Sequence, residues 1–279
     1  MARFARRFHV LVGFKMETPS IEPQEDDVDT LFREKDKLLV FVEKTHCYML
    51  DGKRLGPSVS GLVKMYWPAF DGAAIAKKCG RSARMKWTGN PLASDEALLA
   101  AWEKNGKDAA EKGTRIHAQI ERWFLNFRNS PSQNANSPLC TVIRTWLETR
   151  FPRDKGWCFW AEKKVYGSPY GTDRIVPGTI DLLARDNFKN YWIFDWKRGE
   201  IDLHSQRGEY DEATGTIGTK YVKYSTQLAL YAQILERSYG IMVPLERCRL
   251  VRTHEGITPV EYEVFDGAHG LATLAAALA

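Results

Sequence analysis

The stretch Gly178–Gly199, GTIDLLARDNFKNYWIFDWKRG, holds two strand-like runs around a short polar turn. Each run carries one acid among bulky apolar residues, Asp181 and Asp195, and Lys197 follows two positions after the second. The segment DNFKN is a hairpin loop centred on Phe188. Counting outward from that centre sets Asp186 against Asn190, Leu183 against Ile193 and Asp181 against Asp195. A symmetric hairpin makes the two aspartates cross-strand neighbours, with Cβ atoms about 4.5–5.5 Å apart. Strand alternation puts Lys197 on their face and Trp196 on the other. Ile180, Leu182, Phe194 and Trp196 are then expected to hold the opposite face against helices.

Two bare carboxylates about 5 Å apart repel by about 3 kcal/mol at an effective dielectric near 20. The pattern therefore calls for a cation. Lys197 is one candidate and a divalent metal the other, with Mg²⁺ or Mn²⁺ suited to hard oxygen ligands. The plain alternative is a structural Asp–Lys salt bridge, which needs one acid rather than two. A metal there polarises a phosphoryl oxygen and lowers the pKa of bound water. Lys197 is then placed to position that water.

The chain has 279 residues, 44% of them hydrophobic, and a net charge of +5. That suits one domain with elaborations and permits an anionic partner without requiring one. No run of apolar residues is long enough for a transmembrane helix, so no membrane association is expected. Five scattered cysteines without a C-x-x-C pair argue against an iron–sulfur cluster or zinc site and for an intracellular setting. The start, MARFARRFHVLVGFKM, reads either as a mitochondrial presequence or as a basic first strand.

Along the chain, 19–29 reads as an acidic loop, and KLLVFVEKTHCYML (37–50) as a strand before a DGKR turn and a second short strand. Ser58 and Asp71 can cap short helices. From Ser94 to Phe127 the pattern is helical, with Ser94 as cap and a break expected at Gly113. The segment 128–138 is a polar loop, followed by a helix over 139–151. Strands then occupy 158–167, 178–185 and 190–197. A polar loop over 199–220 is a candidate substrate-ordered lid. A strong helix over 224–240, two closing strands and an alanine-rich helix complete the chain. Helices, a strand meander, a helix and more strands imply an α/β fold with a central mixed β-sheet flanked by helices and a helical N-terminal elaboration. The expected division is 1–56 as arm and short β region, 57–155 as helical region, and 156–279 as core.

Asp181, fourteen residues, then Asp195-x-Lys197 on a hairpin resembles the PD-(D/E)XK nuclease superfamily, and within it the RecB-like exonuclease branch. EKKVYG with Glu162 resembles the acidic strand ahead of that core. GTRIHAQIE resembles the upstream helix whose histidine joins the metal site, and QLALY, with Gln227 and Tyr231, resembles the Q-x-x-x-Y helix. PSVSGLVKMYWPAFD is similar to the opening of mitochondrial genome maintenance exonucleases and of phage and large-DNA-virus nucleases. The resemblance spans about Pro57 to Gly240. Two departures stand out: the first motif reads GTID, with Pro177 four residues ahead of Asp181, and the second acid is Asp rather than Glu. Relatives fused to helicases or associated with CRISPR often carry four cluster-binding cysteines, and this spacing does not match them.

The resemblance implies a restriction-endonuclease-like core and a metal-dependent deoxyribonuclease, an exonuclease on single-stranded DNA or DNA ends in replication, repair or recombination. Alternatives are a structure-selective or non-specific endonuclease, or a catalytically silent nucleic-acid-binding module. It implies that His117, Asp181 and Asp195 hold Mg²⁺ or Mn²⁺, with Lys197 and Gln227 catalytic and Glu121, Glu162 and Tyr231 supporting. His117 and Glu121 share a helix face at i and i+4. Tyr224 lies three residues before Gln227, and Tyr231 four after. Lys77, Lys78, Arg81, Arg84 and Lys86, next to Trp87 with no acid between them, suit phosphates of a single strand, and Arg198 is a further phosphate candidate. Trp67, Trp102 and Trp123 are read as core. DNA is the expected partner, RNA remains open, and replication or recombination proteins are possible associates. A mitochondrial and a viral or phage source are both compatible with these features.

Overall fold

A computed structural model describes residues 27–67, 70–127, 139–205, 208, 210–212 and 215–279. The basic start, residues 19–26 of the acidic loop, the polar loop at 128–138 and parts of the 199–220 loop lie outside them. The fold is α/β. A five-stranded mixed sheet runs in the order β10-β9-β6-β5-β4, made from β4 (Cys158–Gly167), β5 (Val176–Arg185), β6 (Tyr191–Lys197), β9 (Cys248–His254) and β10 (Ile257–Glu263). β6 and β9 are parallel, and the other pairs antiparallel. The connection between β6 and β9 carries helix α7 (Lys220–Tyr239), capped by the Thr219 hydroxyl and ended by left-handed Gly240. A two-stranded ribbon, β7 (Tyr210–Asp211) and β8 (Thr216–Ile217), lies in the loop that was the lid candidate.

Each face of the sheet has its own core. One face packs against α1 (Asp27–Leu38), α2 (Val59–Tyr66), α7 and α8 (Ala268–Ala276), through Phe32, Leu62, Leu183, Ile193 and Leu228. The other packs against α5 (Asp95–Leu125) and α6 (Thr141–Arg150), through Ile120, Trp123, Leu147, Phe194 and Trp196. The first core draws on all three expected segments of the chain.

Helix α1 was not foreseen. Lys163, nearly buried in β4, binds both oxygens of Asp36 at 2.7 and 2.8 Å and lies 4.1 Å over the Phe32 ring. Trp160 Nε1 donates to Asp29. These contacts seat α1 on the sheet edge. The 37–50 stretch is not a single strand: after the end of α1 it folds into β1 (Leu39–Val42) and β2 (Cys47–Leu50), and β3 (Lys53–Arg54) completes a small sheet.

The capping expectations hold. Ser58, Asp71 and Ser94 each accept a hydrogen bond from the third residue onward and start α2, α3 (Gly72–Lys78) and α5. Gly113 does not break α5, which runs unbroken for 31 residues. A Cβ at Gly113 would meet nothing, so the glycine sits on an open helix face. Its cost of about 1 kcal/mol is outweighed by the buried stripe of Leu98, Ile116, Ile120 and Trp123. Helix α4 (Arg81–Thr88) lies between α3 and α5.

Candidate active site

The hairpin at the centre is pinned by its own loop. Asp186 accepts hydrogen bonds from Phe188 N, Asn190 N, Asn190 Nδ2 and Trp192 Nε1. Burial would raise its carboxyl, but these hydrogen bonds outweigh that and hold it below the usual range. The register counted about Phe188 is the register found, with Leu183 opposite Ile193 and Leu182 opposite Phe194. The ladder then stops one step short of Asp181 and Asp195. There Trp196 N–H donates to Asp181 Oδ2 at 2.8 Å, a carboxylate standing where a strand would offer a carbonyl.

A second interruption lies on the other side of β5. Ala161 pairs with Leu182 and Lys163 with Ile180, while Glu162 and Asp181 between them leave the ladder. Glu162 has φ +46°, the left-handed region. Side-chain alternation reverses at this step in both strands. Phe159 and Ala161 face the α5 core, whereas Val165 faces the α7 core. Likewise Leu182 and Ala184 face α5, whereas Ile180 and Val176 face α7. Ile180 therefore does not share a face with Leu182, Phe194 and Trp196 as expected. The two acids sit where the sheet changes face, which frees their carboxylates from the alternation.

His117 on α5 reaches this break. Its Nδ1 is 3.6 Å from Asp181 Oδ2 and its Nε2 is 2.9 Å from the Trp196 carbonyl. Donor atoms of His117, Glu162 and Asp181 all lie within 4.8 Å of one another. Burial, then the charges of Asp181, Glu121 and Asp195, push the Glu162 carboxyl up to about 8. Glu121 thus lies close enough to be felt by Glu162.

Asp195 lies deeper, 3% exposed, on the α7 face. Its Oδ2 is 2.6 Å from Lys197 Nζ, yet has no well-aligned hydrogen-bond donor. Burial pushes the carboxyl up, Lys197 opposes that, and Asp181 adds to it. Burial pulls the Lys197 ammonium down, but Asp195 and Asp181 more than offset this and its pKa is raised. Lys197 Nζ also rests 4.6 Å over the Tyr224 ring. Asp195 is outside the cluster formed by His117, Asp181 and Glu162 and is ion-paired with Lys197.

These residues fit a divalent cation. Imidazole and carboxylate are the right donors, and burial together with the charges of Asp181, Glu121 and Asp195 leaves Glu162 short of a compensating positive charge. Hard oxygens with one nitrogen suit Mn²⁺ as well as Mg²⁺.

The supporting residues divide. Gln227, half-buried, hydrogen-bonds Tyr231, whose phenol burial pushes well above its ordinary pKa. Tyr231 is 3% exposed, so its ring cannot stack on a base. It packs against Gly178, where an added Cβ would lie 2.6 Å from Tyr231 Cε1. That close approach accounts for the glycine of GTID. Lys77, Lys78, Arg81 and Lys86 are exposed. Arg84 is not available for phosphate. It donates to the carbonyls of Ala76, Cys79 and Ala93 and pairs with Asp95, stapling α3 and α4 to α5. Arg198 turns to the α5 side, where its charge, after that of Arg115, helps hold the Glu255 carboxyl down. Its Nε is buried without a hydrogen bond.

Sequence reasoning missed the Trp196 peptide, whose N–H and C=O serve Asp181 and His117; a backbone group leaves no sequence signal. It also misplaced Trp102. That ring is half-buried, against Phe70 and Trp87, while Trp67 and Trp123 are buried as expected.

No protein-family model matches the chain, and no curated protein matches it. Among solved structures it is similar to one described as the crystal structure of SSO0001, with 14% identity and a TM-score of 0.36 over 91% of this chain and 85% of that one. A likeness so remote carries no weight for function. Among the described residues, no helix is long and apolar enough to cross a membrane.

Proposed function

We propose that this protein is a metal-dependent nuclease with a restriction-endonuclease-like core, hydrolysing phosphodiester bonds in DNA as an exonuclease on single strands or ends. One observation carries the reading: Asp181, Asp195, Lys197 and His117, from two strands and a helix, meet at a break in the sheet where two carboxylates feel each other and a buried ammonium stands beside them. A structural salt bridge would need neither the second carboxylate nor the histidine.

Hydrolysis adds water to phosphorus, breaks the bond to the leaving oxygen and puts a proton on that oxygen. A divalent cation, when bound by His117, Asp181 and neighbouring carboxylates, supplies positive charge that polarises the phosphoryl group. Lys197 remains an ammonium, because its carboxylate neighbours raise its pKa. It therefore acts as a fixed donor and positive charge towards the water or phosphate rather than as a base. Tyr224 and Asp195 fix its direction. His117 is held by the Trp196 carbonyl, and Gln227 offers its amide from α7 near the same side of the sheet. Trp196, clamped among Phe124, Trp146 and Phe194, locks the strand that carries Asp195 and Lys197.

End-labelled single- and double-stranded DNA with Mg²⁺, Mn²⁺ or chelator tests this reading. Cation-dependent release of nucleotides is expected. A covalently closed single-stranded circle left whole supports the exonuclease, and a cut circle replaces it with an endonuclease on the same core.

A further inference from the structure

Beside the catalytic cluster, a concavity made of two adjoining parts runs from α7 to α4. Its inner part, about 370 Å³, is lined by Lys64, Trp67, Phe70, Lys223, Tyr224 and Gln227. Its outer part, about 470 Å³, is lined by Phe70, Ile75, Trp87, Trp102 and Lys220. Phe70 is common to both parts, and Lys220 also lines both. The inner end is therefore made by Tyr224, whose ring carries Lys197, and by Gln227.

Three features say what lies in it. The first is charge: among the described residues the lining includes Lys64, Lys220 and Lys223 and no acid. The second is the placing of aromatics. Phe70 is 66% exposed and Trp87 39% exposed, and both line the groove together with Trp102. Both meet Trp102 edge-to-face, at 5.5 and 6.4 Å between centroids, and Lys86 Nζ stands 5.9 Å over the Trp87 ring, an ammonium beside the stacking surface. The third is continuity, since the groove ends at the residues beside Lys197. Flat π-faces with ammonium groups between them match alternating bases and phosphates. A duplex hides its base faces within the stack, so only an unpaired strand can use these rings.

We infer that this groove binds an unpaired nucleic-acid strand, with bases on Phe70, Trp87 and Trp102 and phosphates on Lys64, Lys220 and Lys223, and leads it to Lys197. The last step rests on the nuclease reading, and the binding site does not. The inference also relocates the expected platform. The exposed lysines of α3 and α4 lie along the flank, Arg84 is structural, and the rings of three separate segments supply the stacking surface.

The test measures binding apart from cleavage. Labelled oligo(dT) and a blunt duplex are titrated with the full chain in chelator, by fluorescence anisotropy and by quenching of tryptophan emission. The single strand is expected to bind more tightly than the duplex, with a salt slope of about −2 contributed by the three lysines. Phe70→Ala and Trp87→Ala should each weaken single-strand binding by about 5- to 100-fold. Both rings are exposed, so unchanged circular dichroism and melting are expected and verify folding. Hydrolysis of bis(p-nitrophenyl) phosphate with Mn²⁺, a diester too small to need the groove, should be unaffected by either variant. Single-strand affinity indifferent to both rings overturns the inference, even if DNA is still cut; the groove would then be the seat of an apolar polypeptide segment. Ring-dependent binding without hydrolysis of any diester leaves the groove standing and removes the nuclease.

Discussion

Glu162 is at odds with its surroundings, a carboxyl pushed up to about 8 by burial and neighbouring acids, and replacing it with Gln turns that conflict into a measurable stability. In the unfolded chain its carboxyl titrates near the model value of 4.5, and in the cation-free fold near 8. Below the first value both states hold the proton and Glu162 contributes nothing. Between the two values the fold must retain a proton that the unfolded chain releases, so stability falls as pH rises, and above about 8 the full penalty applies. The difference between these two pKa values sets a ceiling of about 5 kcal/mol. Partial access to solvent reduces that to about 2 kcal/mol. Glu162→Gln keeps the shape and removes the charge. In chelator at pH 8 the variant should melt roughly 5 °C above the wild type, a difference of about 2 kcal/mol in a chain of this size. At pH 5 the two should nearly coincide. Added Mn²⁺ should raise the wild type more than the variant, because only the wild type buries a carboxylate charge, beside other acids, for the cation to compensate. The assay is thermal unfolding by circular dichroism across this pH range, with and without cation. A variant no more stable than wild type at pH 8 in chelator would refute the reasoning.

Other expectations concern the scaffold and Lys197. Asp186→Ala should cost about 2–3 kcal/mol in denaturant unfolding, since it strips four hydrogen bonds from a charged acceptor, and the loss should vanish at a pH low enough to protonate Asp186 in the wild type. Gly113→Ala, on an open helix face, should stabilise by about 0.5–1 kcal/mol; a loss would mean that the glycine serves more than helix geometry. Tyr224→Leu should slow cleavage about tenfold, whereas Tyr224→Phe, which keeps the ring beneath Lys197, should remain near wild type. Equal rates for the two would remove the ring from the account.

The hairpin was legible because its register is set locally, by Asp186 and the length of DNFKN. The caps at Ser58, Asp71 and Ser94 were legible for the same reason. The reversal at Glu162 and Asp181 was not, since counting by twos assumes one unbroken strand, and nothing in EKK announces a left-handed glutamate. Placing Ile180 with Leu182 followed from that assumption. Arg84 looked free because its acid, Asp95, lies eleven residues on and outside the basic run. Helix α1 escaped notice because its apolar residues, Val28, Leu31, Phe32 and Leu38, are few, and Asp29 and Asp36, which bind β4, are distant in sequence from their partners. The groove was invisible for a related reason: Phe70, Trp87, Trp102 and Lys220 belong to separate segments, and only the fold brings them together.

The central claim is that Asp195 and Lys197 act on a phosphodiester with a divalent cation. The most direct test is turnover of end-labelled single-stranded DNA by wild type, Asp195→Asn and Lys197→Met, in Mn²⁺ and in chelator. The account predicts cation-dependent release of nucleotides by the wild type and a loss of at least about a hundredfold in each variant, with single-strand binding retained in both. Wild-type hydrolysis that survives chelator, or Asp195→Asn turning over at the wild-type rate, would contradict it.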